Sequence, residues 1–183
     1  MIIGVTGLIG SGKGAVADIL VAQGFEKLGH SDIISQELVR QGIEVNRDNQ
    51  VSFANKMRKE YGRGYWAKKL IEKIEKGKNY VVEGFRNVAE VEEFKKLKDF
   101  ILIGVASGRK RRYHWLMRRK RAGDPVNMEE FMKVETRDFL QMNEYGQQNA
   151  LCFASADYFL VNEGSLHELS RQVAQMLNKI KSW

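Results

Sequence analysis

Residues Ile2-Ile3-Gly4-Val5-Thr6-Gly7-Leu8-Ile9-Gly10-Ser11-Gly12-Lys13 decide the fold. The first part is apolar with little alternation, which is the pattern of a parallel strand covered on both faces. Glycines at 7, 10 and 12 then supply a turn. From Lys13 onward, Val16, Ile19 and Leu20 fall on one face at helical spacing. Gly7 to Lys13 therefore shows GxxxxGK between a strand and a helix, the setting in which that spacing has a physical purpose. Glycines let successive N–H groups point inward at a phosphate chain. The helix N-terminus adds positive potential, and Lys13 adds a mobile charge for β and γ oxygens. The expected phosphate contacts are Gly7, Gly10, Ser11, Gly12, Lys13, Gly14 and Ala15. Gly14 stands where most such loops carry a Ser or Thr that holds Mg²⁺, and Ala15 has no hydroxyl either. A metal would then be held largely through water, with Glu83 and Asp32 helping and Thr6 as a weaker candidate.

Working outward, Tyr80–Glu83, Phe100–Val105 and Tyr158–Val161 repeat the apolar strand pattern, and Phe25–Leu28 is a fifth candidate. Helical spacing predicts helices over Lys13–Gln23 and Trp66–Lys76, and a last one bearing Leu166, Leu169, Val173, Met176, Leu177 and Ile180 as a stripe. Ser165 with Glu168 forms a capping box there, and Asn127 with Glu130 marks another helix start. Strands alternating with helices give the α/β class: a three-layer α/β/α sandwich with a mostly parallel five-stranded sheet.

The chain has 183 residues, enough for one domain with its own core. One Cys excludes an intramolecular disulfide and speaks against a structural zinc site, and Cys152 reads as a small buried hydrophobe. No run reaches the roughly eighteen apolar residues of a membrane span. The glycine-broken N-terminal stretch has no basic leader, so the cytoplasm is the expected location. The net charge of +7 is local. Arg109 to Arg121 holds eight basic residues in thirteen and no acid, and the remainder has 22 basic against 23 acidic residues. Such a segment suits a lid that closes over a phosphoryl group. It would also suit a nucleic-acid patch, with Tyr113, His114 and Trp115 stacking on bases, or simply a solvated helix.

Two further stretches carry candidate chemistry. Glu83-Gly84-Phe85-Arg86 ends an apolar strand, and ligands of open α/β sheets bind at that edge. Glu83 would orient metal-bound water, and Arg86 would clamp an acceptor phosphate. In His30-Ser31-Asp32, Ser31 reads as a helix cap or Asp32 as a general base or outer metal ligand. Arg40, Arg47 and Arg58 are possible phosphate partners, and Trp66 is expected in the core.

These residues together resemble the P-loop nucleoside monophosphate kinase superfamily, and within it the small dephospho-CoA kinase-like and adenylate-kinase-related proteins. The resemblance rests on Gly7–Lys13, on Glu83–Arg86, on the arginine-rich segment ending Gly123-Asp124-Pro125, and on the tail Ala156–Ser165. It runs from Ile2 to about Lys179. It implies ATP and Mg²⁺ as cofactors, a helical acceptor region at about 32–74 and a lid at about 109–125. It also implies catalytic roles for Lys13, Arg86, Arg112, Arg119 and Asp32. Arg121 and Asn162 would border the donor, and Asp32, Glu83, Arg86 and Arg137 the acceptor. The implied activity is γ-phosphoryl transfer from ATP to a small nucleotide acceptor, most simply a (deoxy)nucleoside monophosphate. Transfer to a ribose hydroxyl, as in dephospho-CoA kinases, is the alternative. A nucleotide-dependent RNA-binding protein is the rival from another class.

Overall fold

The computed structural model describes residues 1–121, 123–139, 141 and 143–180. Its strands are β1 (Ile2–Thr6), β2 (Glu26–Gly29), β3 (Tyr80–Glu83), β4 (Phe100–Ala106) and β5 (Tyr158–Val161). They form one sheet in the order β2-β3-β1-β4-β5, with every pairing parallel. Parallel strands need long crossovers, and helices supply them: α1 (Lys13–Val21), α2 (His30–Arg40), α3 (Arg47–Tyr61), α4 (Tyr65–Ile71), α5 (Val88–Lys95), α6 (Arg109–Arg119), α7 (Met128–Phe139), α8 (Asn149–Ala154) and α9 (Leu166–Ile180).

The sheet separates two apolar layers. On one face Ile3, Val5 and Ile103 pack with Val16 and Leu20 of α1 and Val173, Met176 and Leu177 of α9. On the other, Val82 and Leu102 pack with Trp66, Leu70, Phe94 and Cys152. Gly4 has a packing reason. A β-carbon there would lie 2.7 Å from the ring of Phe100 and 2.9 Å from Leu102, so the second layer can seat against β1 only where a side chain is missing. All five strand ends open on the same edge. The chain leaves β1 toward β2 and leaves β3 toward β4, so the crevice between those two strand ends is the topological switch point.

The expected three-layer α/β architecture is present, with these differences. The edge strand β5 is not covered on both faces: Phe159 and Val161 are exposed and only Leu160 is buried. The first helix stops at Val21, with the chain turning at Gly24 (φ 91°), and the helix expected to reach Lys76 ends at Ile71. Gly29, not Ser31, is the N-cap of α2. The caps at Asn127 and at Ser165 with Glu168 are present as hydrogen bonds. A further box, Asn87 with Glu90, opens α5. Of the expected lid at 109–125, residues 109–119 are helical and Ala122 lies outside the described residues.

Phe94 is wholly buried, whereas Val39 on α2 is 67% exposed. Phe94→Ala is expected to cost about 3–5 kcal/mol of unfolding free energy, and Val39→Ala less than about 0.5 kcal/mol. Urea denaturation measures both, and similar losses at the two positions would contradict the layer assignment.

Candidate active site

The loop after β1 is shaped by contact with its neighbours. Gly7 (φ 152°) passes so close to β4 that a β-carbon would sit 2.5 Å from the Val105 carbonyl oxygen. Gly12 (φ 97°) is the N-cap of α1, and the Asn162 side chain lies against it, donating to the Ser11 carbonyl at 3.0 Å. Lys13 Nζ donates to the carbonyls of Gly7 (2.8 Å) and Leu8 (2.9 Å). Its ammonium is thus held at the loop's own rim, on weak acceptors that a phosphate oxygen would outcompete. Burial, followed by the nearby Arg86 charge, pushes its pKa down to about 7.

The arginines of α6 separate into two groups. Arg112 is 3% exposed, and every arm of its guanidinium points inward. It donates to the carbonyls of Ser107 (2.9 Å) and Ile9 (3.0 Å) and to the Glu135 carboxylate. Arg112 is therefore a strut beneath the glycine loop, not the charge over the reacting group that its spacing implied. Arg109 shares Glu135 at 2.7 Å, and Arg111 meets Glu163 at 3.2 Å. Ile9, Leu116 and Phe131 form a small apolar cluster that docks α6 and α7 against the loop. Arg119 and Arg121 do face the cleft that contains Lys13, Gly14, Glu83, Arg86 and Asn162. Arg119 is oriented by Asp124 at 2.8 Å.

On the opposite wall, Arg86 lines both this cleft and a second cavity beside it. Its guanidinium makes no hydrogen bond or ion pair among the described residues, and burial holds its pKa below the usual arginine range. Its backbone is pinned: Arg86 N donates to Glu90 at 2.9 Å, and Glu90 also receives Asn87 N and the buried Arg58. His30 Nδ1 donates to the Glu83 carbonyl at 2.8 Å and locks the end of β3 to the start of α2. The second cavity also exposes Arg47, Gln50 and Gln147. Arg47 pairs with the buried Asp138, and its Nε and the Gln147 Oε1 are buried without partners among the described residues.

Several expected contacts lie elsewhere. Asp32 is not part of the cleft wall; its carboxylate folds back against Gly29 in the first turn of α2, and Ser31 takes the place at the wall. The helix begins at His30, two residues earlier than a Ser31 cap would give, so position 32 is the third residue of the helix instead of the first. Arg137 does not line either cavity; Asp48 and Asp138 hold it at 3.2 Å each. Arg40 is solvated beside Glu37, whereas Arg58 does line the second cavity but is held by Glu90. Lys27 does line the cleft, though the motifs did not point to it: it meets Glu83 at 2.6 Å and Asp18 at 3.7 Å. Burial alone would lower its pKa, but the Glu83 and Asp18 carboxylates outweigh burial and raise it. The available signal was a lysine inside a four-residue strand, where lysine is disfavoured unless an acid receives it.

The side chains here are a poor fit to a directly bound Mg²⁺. Gly14 offers no hydroxyl, Thr6 is buried, Asp32 is off the wall, and Glu83 already has a cation in Lys27. No cluster of three or more metal-ligating side chains occurs among the described residues.

The lowered Lys13 value sets a pH dependence. Bound phosphate favours the ammonium, so the complex holds the proton to higher pH than the free protein does. ATP affinity should be level below about pH 7 and should fall above it, approaching tenfold per unit until the complex itself titrates. Calorimetry at pH 8 in buffers of different ionisation enthalpy should show proton uptake on binding. No uptake would mean that Lys13 is already fully charged in the free cleft.

Comparison with known proteins supports the fold. A family model described as an AAA domain matches residues 3–137. UPF0200 proteins are similar along nearly all of the chain. The protein of Sulfurisphaera tokodaii is 36% identical over 98% of this chain and 97% of its own. That of Aeropyrum pernix is 39% identical over 92% of this chain and 88% of its own. Among solved structures, TT1252 from Thermus thermophilus superposes with a TM-score of 0.65 at 21% identity, covering 98% of this chain and 97% of that one. Acinetobacter baumannii shikimate kinase in complex with shikimate superposes with a TM-score of 0.60 at 17% identity, covering 97% and 93%. At such identities the structures establish the fold, which is that of P-loop kinases. The glycine loop, the parallel sheet and the full-length sequence similarity converge, and the chain belongs to the AAA-domain family matched over residues 3–137 and to the UPF0200 proteins.

Proposed function

We propose that the protein is an ATP-dependent kinase that transfers the γ-phosphoryl group to a nucleotide-type acceptor, most directly a (deoxy)nucleoside monophosphate. The observation that carries this reading is Arg86. Its guanidinium, without a hydrogen bond or ion pair among the described residues, stands between the phosphate-binding loop and a second cavity that Arg47 and the Glu90-bound Arg58 also line. ATP phosphates would enter the N–H cradle of Gly7–Ala15 and replace the loop carbonyls on Lys13. The acceptor phosphate would lie in the second cavity, clamped by Arg86 and Arg47. An acceptor oxygen attacks the γ-phosphorus, the bond to the β-bridging oxygen breaks, and ADP departs. Arg119 and Arg121 neutralise charge that spreads over the transferring group. Magnesium enters this reading only as a counterion carried on ATP oxygens and water, without a side-chain ligand.

The placement of Asp32 favours a phosphate acceptor over a hydroxyl. A hydroxyl benefits from a base at the reacting centre, whereas a phosphate is already anionic and needs positioning. The RNA-binding alternative loses some support because four of the eight basic residues in the run are ion-paired with Glu135, Glu163 and Asp124. No helix among the described residues is long and apolar enough to cross a membrane. The reading sets the protein in the cytoplasm, where ATP and nucleoside monophosphates are found.

An ATP-consumption screen over nucleoside monophosphates, their deoxy forms and dephospho-CoA tests the acceptor. Turnover with dephospho-CoA alone would replace the phosphate-acceptor reading by the hydroxyl one. With the active acceptor, Arg86→Ala should raise its KM at least about tenfold and leave ATP affinity nearly unchanged. Arg119→Ala should instead lower kcat by about 10²–10³, and an unchanged kcat removes Arg119 from the machinery.

A further inference from the structure

We propose that Lys27 is a built-in cation of the phosphate cleft, standing between Glu83 and Asp18 and making nucleotide binding largely independent of a divalent metal. The inference rests on the donor site described above. The geometry at the first turn of α1 is specific. Glu83 Oε2 meets Lys27 Nζ at 2.6 Å, and Asp18 Oδ1 lies 3.7 Å from the same nitrogen. The other Glu83 oxygen, Oε1, sits 3.9 Å from the point where a side chain on Gly14 would begin. Lys13, Gly14, Asp18, Lys27 and Glu83 all line one cleft.

A carboxylate at this place would repel a polyphosphate in the loop. The usual remedy is a metal bridging protein oxygens and phosphate oxygens. Here the position that would carry a metal-binding hydroxyl is glycine, and the carboxylate has a tethered ammonium instead. Lys27 is held by strand pairing, Lys27 opposite Val81 and Gly29 opposite Glu83, so its charge is positioned before any ligand arrives. The side chains of Lys27 and Glu83 are 38% and 19% exposed. An ion pair so open to water adds little to fold stability, and this leaves the electrostatics of the cleft as its consequence. Lys27 acts through Glu83 and is a positioning residue, not a catalytic one.

The test measures ATP affinity by calorimetry, once in EDTA and once in excess Mg²⁺. Wild-type affinity should differ by less than about threefold between the two, while Lys27→Ala should lose about tenfold or more in EDTA and recover in Mg²⁺. Glu83→Gln, alone or with Lys27→Ala, should bind equally in both conditions. Lys27→Ala should also bind Mn²⁺ without nucleotide, seen by loss of the free-ion electron paramagnetic resonance signal, and the wild type should not. A wild type that needs Mg²⁺, a Lys27→Ala variant that matches it in EDTA, or a double variant that stays metal-dependent would each overturn the proposal. If Lys27→Ala does not fold, Glu83→Gln decides: binding lost in EDTA overturns the idea. Failure of the underlying reading looks different. Wild-type protein would then bind no ATP in either condition, whereas binding that is abolished by Lys13→Ala but requires Mg²⁺ removes this inference alone.

Discussion

A carboxylate with no access to water must be surrounded by donors, and Glu90 is where that requirement shapes the molecule. It is completely buried at the start of α5. Burial alone would raise its pKa, but Arg58, His30 and the backbone N–H of Arg86 outweigh it and keep the carboxylate ionised. Meeting the needs of one anion thus fixes the backbone at Arg86 and Asn87, and Arg86 is left with its own guanidinium uncommitted. Asn87 carries the order further, donating to the carbonyls of Glu144 (2.7 Å) and Gly146 (3.0 Å) and tying down the stretch that leads into α8.

Glu135 does the same work on the side of the glycine loop. It gathers Arg109 and Arg112, and Arg112 in turn holds the Ile9 carbonyl inside the glycine loop. Half of the basic run is therefore ion-paired within the fold, and Arg119 and Arg121 are the two of its arginines that reach the cleft. The two buried acids have complementary effects. Each converts nearby arginines into struts, and each leaves one side of the crevice between β1 and β3 rigid.

The fold was legible because its signals are local. Unbroken apolar runs, glycine spacing and the caps at Asn127 and Ser165 each depend on a few neighbouring residues, and each is present in the structure. Long-range pairing was not legible. Arg112 and Arg119 carry the same helical spacing, yet Arg112 is buried on Glu135 of α7, 23 residues on, while Arg119 meets Asp124 in the following loop and faces the cleft. Asp32 was misplaced by a two-residue error in the helix start, which is about 200° of helical rotation. Lys27 was missed because a lysine two residues from a strand end has no motif, and only the folded register brings it to Glu83.

The lone thiol of Cys152 gains a use from these contacts. It sits wholly buried in the layer beneath Trp66 and Phe94, and burial, with the Glu90 charge added, pushes its pKa far above the ordinary thiol range. In the closed fold it is chemically silent. It can react only while that layer opens, so the rate at which a small alkylating reagent finds it is a clock for the breathing of the packing around α8. The protein thus carries a native reporter for motions of the apolar layer on this face of the sheet.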